Sequence, residues 1–284
     1  MAVNAAELPD APPAEYRFRR QIRFLPSMRE LWGARELMRS LAERDIRARY
    51  KQAVLGFAWS ILTPVALMIA FTLVFERIGN VDTHGVAYPL FSYVALLPWH
   101  FFTSSVSQGG QSLLTNKALL NKVYCPREVF PLSSGLVASF DTLISTAILG
   151  VLFALYTFAP RIETFYVPVL LLVQIFFTVG ITLIVSAVTV YLRDLRHALP
   201  ILLQLGLFAT PVGYGLEEIA AEWRPLYSAI NPLGPVIDGY RQTVLFGSAP
   251  DWELLGIAAV SSVVFLVVGY RLFKHLETGF ADVA

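Results

Sequence analysis

The sequence predicts an all-α integral membrane protein with six transmembrane helices and both termini cytoplasmic. An interfacial amphipathic helix precedes the spans, and short re-entrant outer helices lie between spans five and six. Three observations predict this. Apolar residues make up 56% of the 284 residues and charged residues 15%, against roughly one-quarter charged in a soluble domain. Six stretches are continuously apolar: 56–75, 88–106, 129–158, 165–192, 198–215 and 254–270; the only charged residue among them is Asp141. Finally, the cations segregate between alternate connections in the way membrane insertion demands. Continuous rather than alternating apolarity excludes a transmembrane β-barrel.

Residues 1–26 contain neither an apolar core segment nor a small-residue cleavage site, so they read as a flexible cytoplasmic tail and not a signal peptide. Residues 27–52 form the amphipathic unit. Ser27 and Glu30 have the spacing of a capping box. Leu31, Ala34, Met38, Leu41, Ala42 and Ile46 then recur mostly every three or four residues, while Arg35, Glu36, Arg39, Glu43 and Arg47 fill the remaining surface. About 25 residues are too few for an independent core. A basic amphipathic helix before a span belongs in the headgroup plane, its cations near anionic lipid.

Residues 53–284 form the six-span unit. The stretch RDIRARYKQAVLGFAWSILTP (44–64) takes the chain from a cationic run into the first span. Twenty uncharged residues rising about 1.5 Å each cross a hydrocarbon core of about 30 Å. The third and fourth stretches exceed that length, so they tilt or project. The fifth is short and interrupted by Pro200 and Pro211. With the amino terminus inside, the cytoplasmic side carries the eleven Lys and Arg before residue 52 and Lys117, Lys122, Arg127, Arg193, Arg196, Arg271 and Lys274. The other side carries only Arg77, Arg161, Arg224 and Arg241. The cytoplasmic connection 113–128 is expected to form one or two helical turns or a plain linker. The outer stretch 230–247 is half apolar, yet it is broken by Gly and Pro and carries Asp238 and Arg241, which suits re-entrant helices.

Chemistry is conspicuous by its absence from the motifs. No G-x-x-x-x-G-K-[ST] occurs, so no nucleotide hydrolysis is expected of this chain. His84, His100, His197 and His275 lack metal-ligand spacing, and no nucleophile elbow is present. A net charge of +1 gives no nucleic-acid footprint, and Cys125 alone forms no internal disulfide. Asp141 must face protein and be paired or protonated, either as a structural hydrogen-bonding group near one end of its helix or as a proton relay or a channel-lining contact to a polar substrate. Trp99, Phe102 and Phe176 are aromatic candidates for lining a saccharide path, or members of interfacial belts and lipid contacts.

Five stretches in order resemble the ABC-transporter permeases that export O-antigen and related polysaccharides or polyol phosphates. They are RDIRARYKQAVLGFAWSILTP (44–64), YPLFSYVALLPWHFF (88–102), SLLTNKALLNKVYCPREVFPL (112–132), YLRDLRHALPILLQLGLFATPVGY (191–214) and INPLGPVIDGYRQTVLFG (230–247). Gly213 to Leu216 departs from the Tyr-Pro-like ending of the fifth span. The resemblance implies a homodimer in the inner membrane, paired with two copies of a P-loop ATPase that binds ATP and Mg; this chain itself would hold no cofactor. A lipid-linked polysaccharide would cross between protomers. The resemblance also implies ATPase coupling through Arg47, Tyr50, Lys51, Lys117, Lys122, Tyr124 and Arg127, and an outer gate at Asn231, Pro232, Asp238 and Arg241. The alternatives are an exporter of a small lipid or drug, or a proton-coupled carrier using Asp141.

Overall fold

The computed structural model describes residues 30–51, 58–76, 82–120, 125–159 and 161–280. The tail 1–26, Ser27 of the capping box, the start of the first span and the coupling candidates Lys122 and Tyr124 lie outside the described residues. Among the described residues there is helix and no strand.

Helix α1 (Arg35–Lys51) has Glu36 in its first turn and Arg49 and Lys51 in its last, charges that complement the helix dipole. It buries Leu41 and Ala42. Leu41 joins Leu113, Val129, Phe130, Leu183, Phe273 and Phe280 in a small core at one end of the bundle, here called the near end. Helix α2 (Ala58–Phe71) carries Pro64 inside and widens into a π-turn over Thr72–Glu76. Helix α3 (Tyr88–Thr115) starts with Pro89 in its first turn, where the missing N–H costs nothing. It continues nine residues past the apolar stretch expected to end at 106. The extension holds because the small residues Gly109 and Gly110 let it approach Thr182 and Val185 closely.

A single turn, α4 (Lys117–Leu120), leads to α5 (Val129–Leu155), which is the helical turn expected in the 113–128 connection. A 3-10 turn over Ile162–Tyr166 precedes α6 (Val167–Tyr191), and α7 (Leu195–Ala209) follows. The fifth apolar stretch was expected to reach 215, but helix ends at Ala209. Thr210 is extended, with ψ 140°, because the ring of Pro211 crowds the α region of the residue before it. At the far end α8 (Arg224–Ile230) and α9 (Leu233–Arg241) are short, and a π-turn over Gln242–Phe246 ends at Gly247, whose φ is +68°. Helix α10 (Trp252–Leu276) returns to the near end; Asp251 caps it, accepting from the backbone N–H groups of Glu253 and Leu254.

Among the described residues four helices are long and apolar enough to cross a membrane: 58–75, 129–155, 162–191 and 252–279. The second and fifth expected spans differ. Helix α3 has the length, about 42 Å for 28 residues, but its second half is rich in Ser, Gln and Gly. Helix α7, at 15 residues, covers only about 22 Å. The main core gathers around α3, whose Leu90, Phe91, Tyr93, Ala95, Leu96 and Val106 are all nearly inaccessible. Every residue of α9 is buried, so the middle of the 230–247 stretch is packed inside the bundle and is not a surface loop.

Two buried polar clusters at opposite ends of the bundle

The near-end cluster forms where the last turn of α1 meets α5. Asp141, 3% exposed, receives a hydrogen bond and ion pair from the Arg49 guanidinium on one oxygen and a hydrogen bond from the Tyr50 hydroxyl on the other. Ser60 of α2 shares a hydrogen bond of 2.9 Å with the Tyr50 hydroxyl, and Ser145 donates to the Ser60 carbonyl at 2.7 Å. The second Arg49 nitrogen donates to Gln108 of α3 at 2.6 Å. One carboxylate therefore ties α1, α2, α3 and α5 together. Burial is the main cause pushing the Tyr50 phenol above its ordinary pKa, followed by its bond to Asp141. A cavity of about 240 Å³ opens beside the cluster, bordered by Trp59 and His100.

Asp141 is twelve residues past the start of the 27-residue α5, so it stands in the middle of its helix. The expected position near one end is corrected, because α1 climbs alongside α5 and delivers its cation at that depth. Further toward the near end, Arg44 donates to Asn116 at 2.8 Å, fastening α1 to the α3–α4 turn. Lys274 of α10 pairs with Glu128 and, at 3.0 Å, with Glu277. Arg127 donates to the Glu277 carbonyl and lies over the Phe280 ring.

The far-end cluster is centred on Arg241, which is fully buried. Its guanidinium donates to the carbonyls of Pro211 at 2.9 Å, Val212 at 2.6 Å, Tyr214 at 2.7 Å and Phe91 at 3.3 Å. Its central carbon stands 3.7 Å from the centre of the Phe91 ring. Pro211 stops α7 and leaves the following carbonyls without helical partners; the planar, multi-donor guanidinium supplies them. Tyr88 donates to the Gly213 carbonyl at 2.7 Å, and Asn231 donates to the Thr210 hydroxyl at 2.8 Å. Deeper in the bundle, Gln174 of α6 donates to the Pro98 carbonyl at 2.8 Å and accepts from Tyr240 at 3.1 Å, which links α9 to α6 and α3.

The site residues expected from sequence fall into three groups. Arg47 and Lys51 on α1 and Lys117 on α4 are exposed at the near end, while Tyr50 and Arg127 hold intramolecular contacts there. Asn231, Pro232, Asp238 and Arg241 converge at the far end, with Asp238 accepting from Gln242 at 2.7 Å. The aromatics do not share one surface within this chain. Trp99 and Phe102 are buried, Phe102 stacks on Phe177, and Phe176 is half-buried. Sequence reasoning missed Arg49, Gln108, Glu128, Lys274 and Gln174. For Arg49 a signal existed: a lone intramembrane carboxylate needs a cation, and Arg49 lies in the last turn of the cationic helix that precedes the spans.

A bundle of long apolar helices, held by buried charged groups and fronted by a cationic helix, defines a multi-pass membrane protein. The chain belongs to the ABC-2 type transporter family, whose model matches residues 36–245. It is 34% identical over 256 residues to the O-antigen export system permease protein of Myxococcus xanthus, covering 90% of this chain and 98% of that protein. It is 25% identical over 249 residues to the O-antigen export system permease protein of Klebsiella pneumoniae, covering 87% and 95%. The polysialic acid transport protein of Escherichia coli is 27% identical over 245 residues, covering 82% and 91%.

Proposed function

We propose that this chain is the transmembrane subunit of an ATP-driven exporter that moves a lipid-linked polysaccharide out of the cytoplasm across the inner membrane. It crosses the bilayer six times, with α3 and α7 as the second and fifth spans, and keeps both termini inside. Two copies form the channel, and two copies of a separate P-loop ATPase bind ATP and Mg. The observation that carries this reading is end-to-end similarity, 98% of its length, to a protein named as an O-antigen export permease.

The near-end geometry supports a coupling role. Arg47 and Lys51 on α1 and Lys117 on α4 are exposed cations, and Arg44 joins α1 to the turn before Lys117. An ATPase docked there pushes on a helix already clasped to the spans through Arg49, Tyr50 and Asp141. The contacts of Asp141 with Arg49, Tyr50 and Ser60, which tie α1, α2 and α5 together, favour its structural role over a proton relay. At the far end Asn231, Pro232, Asp238 and Arg241 form the outer gate, closed by the Arg241 carbonyl fan.

Co-purification with the ATPase encoded nearest to it, followed by ATPase assays and surface-glycan analysis of a deletion strain, tests the reading. Stimulated hydrolysis in the complex and loss of surface glycan are expected. An unaltered glycan together with unstimulated hydrolysis would falsify it.

A further inference from the structure

We infer that each protomer carries its own saccharide-binding pocket at the far end, beside the outer gate at Asp238 and selective for neutral sugar units. The inference rests on the polysaccharide-export reading. A cavity of about 600 Å³ lies between the turn before α3, the α5–α6 connection and the α9 π-turn, within the roughly 300–1,000 Å³ typical of small-molecule sites. Its walls combine two kinds of group. Phe158 and Phe246 offer aromatic surface, against which the C–H face of a pyranose packs. Glu217 and Asp238 offer carboxylate oxygens, which accept from sugar hydroxyls, while Arg161 offers guanidinium donors for ring and hydroxyl oxygens.

The wall is also pre-shaped. His84 has φ 52° and Gly85 φ 79°, and the His84 N–H donates to Asp82 at 2.8 Å, a tight turn that sets the imidazole 5.1 Å from the Phe246 ring centre. Gln242 fixes one Asp238 oxygen at 2.7 Å. The other oxygen has no hydrogen-bond partner among the described residues, although Asp238 is 8% exposed and borders the cavity. Charge decides the ligand class. The lining carries two carboxylates and the Arg161 guanidinium, with the His84 ring 4.0 Å from Glu217; phosphate, pyrophosphate and acidic sugars would have to approach both carboxylates, whereas a neutral polyol meets acceptors, donors and an apolar face together.

Saturation-transfer NMR on the permease–ATPase complex in nanodiscs tests this, with rhamnose, mannose and galactose as neutral probes and N-acetylneuraminic acid and inorganic pyrophosphate as anionic ones. At least one neutral sugar is expected to give signals, and neither anion. Glu217→Gln and Phe158→Ala, both on partly exposed wall positions, are each expected to weaken binding about tenfold, the value of one charged hydrogen bond or ring contact. Glu222→Gln, exposed but outside the cavity, is expected to change nothing. Signals from the anions alone, no sugar signal at all, or signals indifferent to both wall variants overturn the pocket. Stimulated ATPase and deletion-dependent surface glycan alongside any of those results leave the export reading standing. Conversely, wall-dependent sugar binding in a complex without either property overturns export and keeps the pocket.

Discussion

Arg241 is the residue on which the far end most depends, because one side chain satisfies the three backbone carbonyls of Pro211, Val212 and Tyr214, which lie past the end of α7 without helical donors. Arg241→Ala leaves those oxygens buried and unpaired and is expected to cost about 3–5 kcal/mol. Arg241→Lys keeps the charge but not the fork, so it recovers only part of the loss. Detergent-solubilised melting temperatures rank the three proteins, and a lysine variant as stable as wild type would remove the fan argument. At the near end, Asp141→Asn removes the anion that holds Arg49 and is expected to reduce stability by about 1–3 kcal/mol while leaving export dependent on ATP. Export that instead becomes insensitive to ATP depletion would favour the proton-carrier alternative. Cys125 makes a third residue-scale expectation. Burial pushes its thiol above the ordinary value, Arg127 pulls it back and Glu128 pushes it up again. Because only the thiolate attacks, iodoacetamide at neutral pH is expected to modify Cys125 more slowly in the folded protein than in denatured chain. The gap should narrow as the pH is raised through the shifted value, and mass spectrometry reads the fraction alkylated.

At the scale of elements, the contact between α6 and α10 is set by two glycines that remove the side chains from a crossing. A Cβ on Gly180 would lie 2.6 Å from the Phe265 backbone carbon, and one on Gly269 would collide with the Gly180 carbonyl. Lipid gives helices no hydrophobic reason to associate, so close backbone approach supplies the attraction. Gly180→Val is therefore expected to destabilise by about 1–3 kcal/mol through overpacking. Gly150→Ala, where a Cβ meets nothing within 4 Å, is expected to be neutral or slightly stabilising. Fluorescence-detected size-exclusion after heating separates the two outcomes. The elements were also the most legible part of the sequence. The third and fourth apolar stretches end within three residues of α5 and α6, and α10 contains the whole of the sixth, since long apolar runs have no other stable form in lipid. Helix α3 outran its apolar stretch because a helix buried by protein does not need to be apolar throughout. The clusters were less legible for a related reason. Arg241 bonds only backbone carbonyls, which no side-chain pattern announces, and the partner of Asp141 lies 92 residues away.

For the whole molecule, the bundle sorts charge by end in a way the sequence count alone did not establish. The Arg44–Asn116 bond puts the end of α3 beside α1. The Lys274–Glu128 pair places the start of α5 beside the end of α10, and Tyr191 donates to the Leu276 carbonyl at 2.8 Å, bringing the end of α6 to the same place. Lys117, Arg127, Arg193 and Lys274 therefore share the near end with α1. Arg161 and Arg241 occupy the far end, where Arg161 flanks Gly247 and Arg224 donates to the Glu217 and Ile219 carbonyls. Short connections rich in Lys and Arg stay in the cytoplasm, so the near end is expected to face inward. Single cysteines in a Cys125→Ser background decide this. His275→Cys and Glu222→Cys, both at exposed positions, mark the near and far ends. A membrane-impermeant maleimide added to cells with a permeabilised outer envelope is expected to label Cys at 222 and to reach 275 only after the inner membrane is opened. The reverse pattern would invert the molecule and move the cationic face away from any cytoplasmic ATPase. Labelling of both before lysis would put 222 and 275 on the same side of the membrane, and α10 would not span.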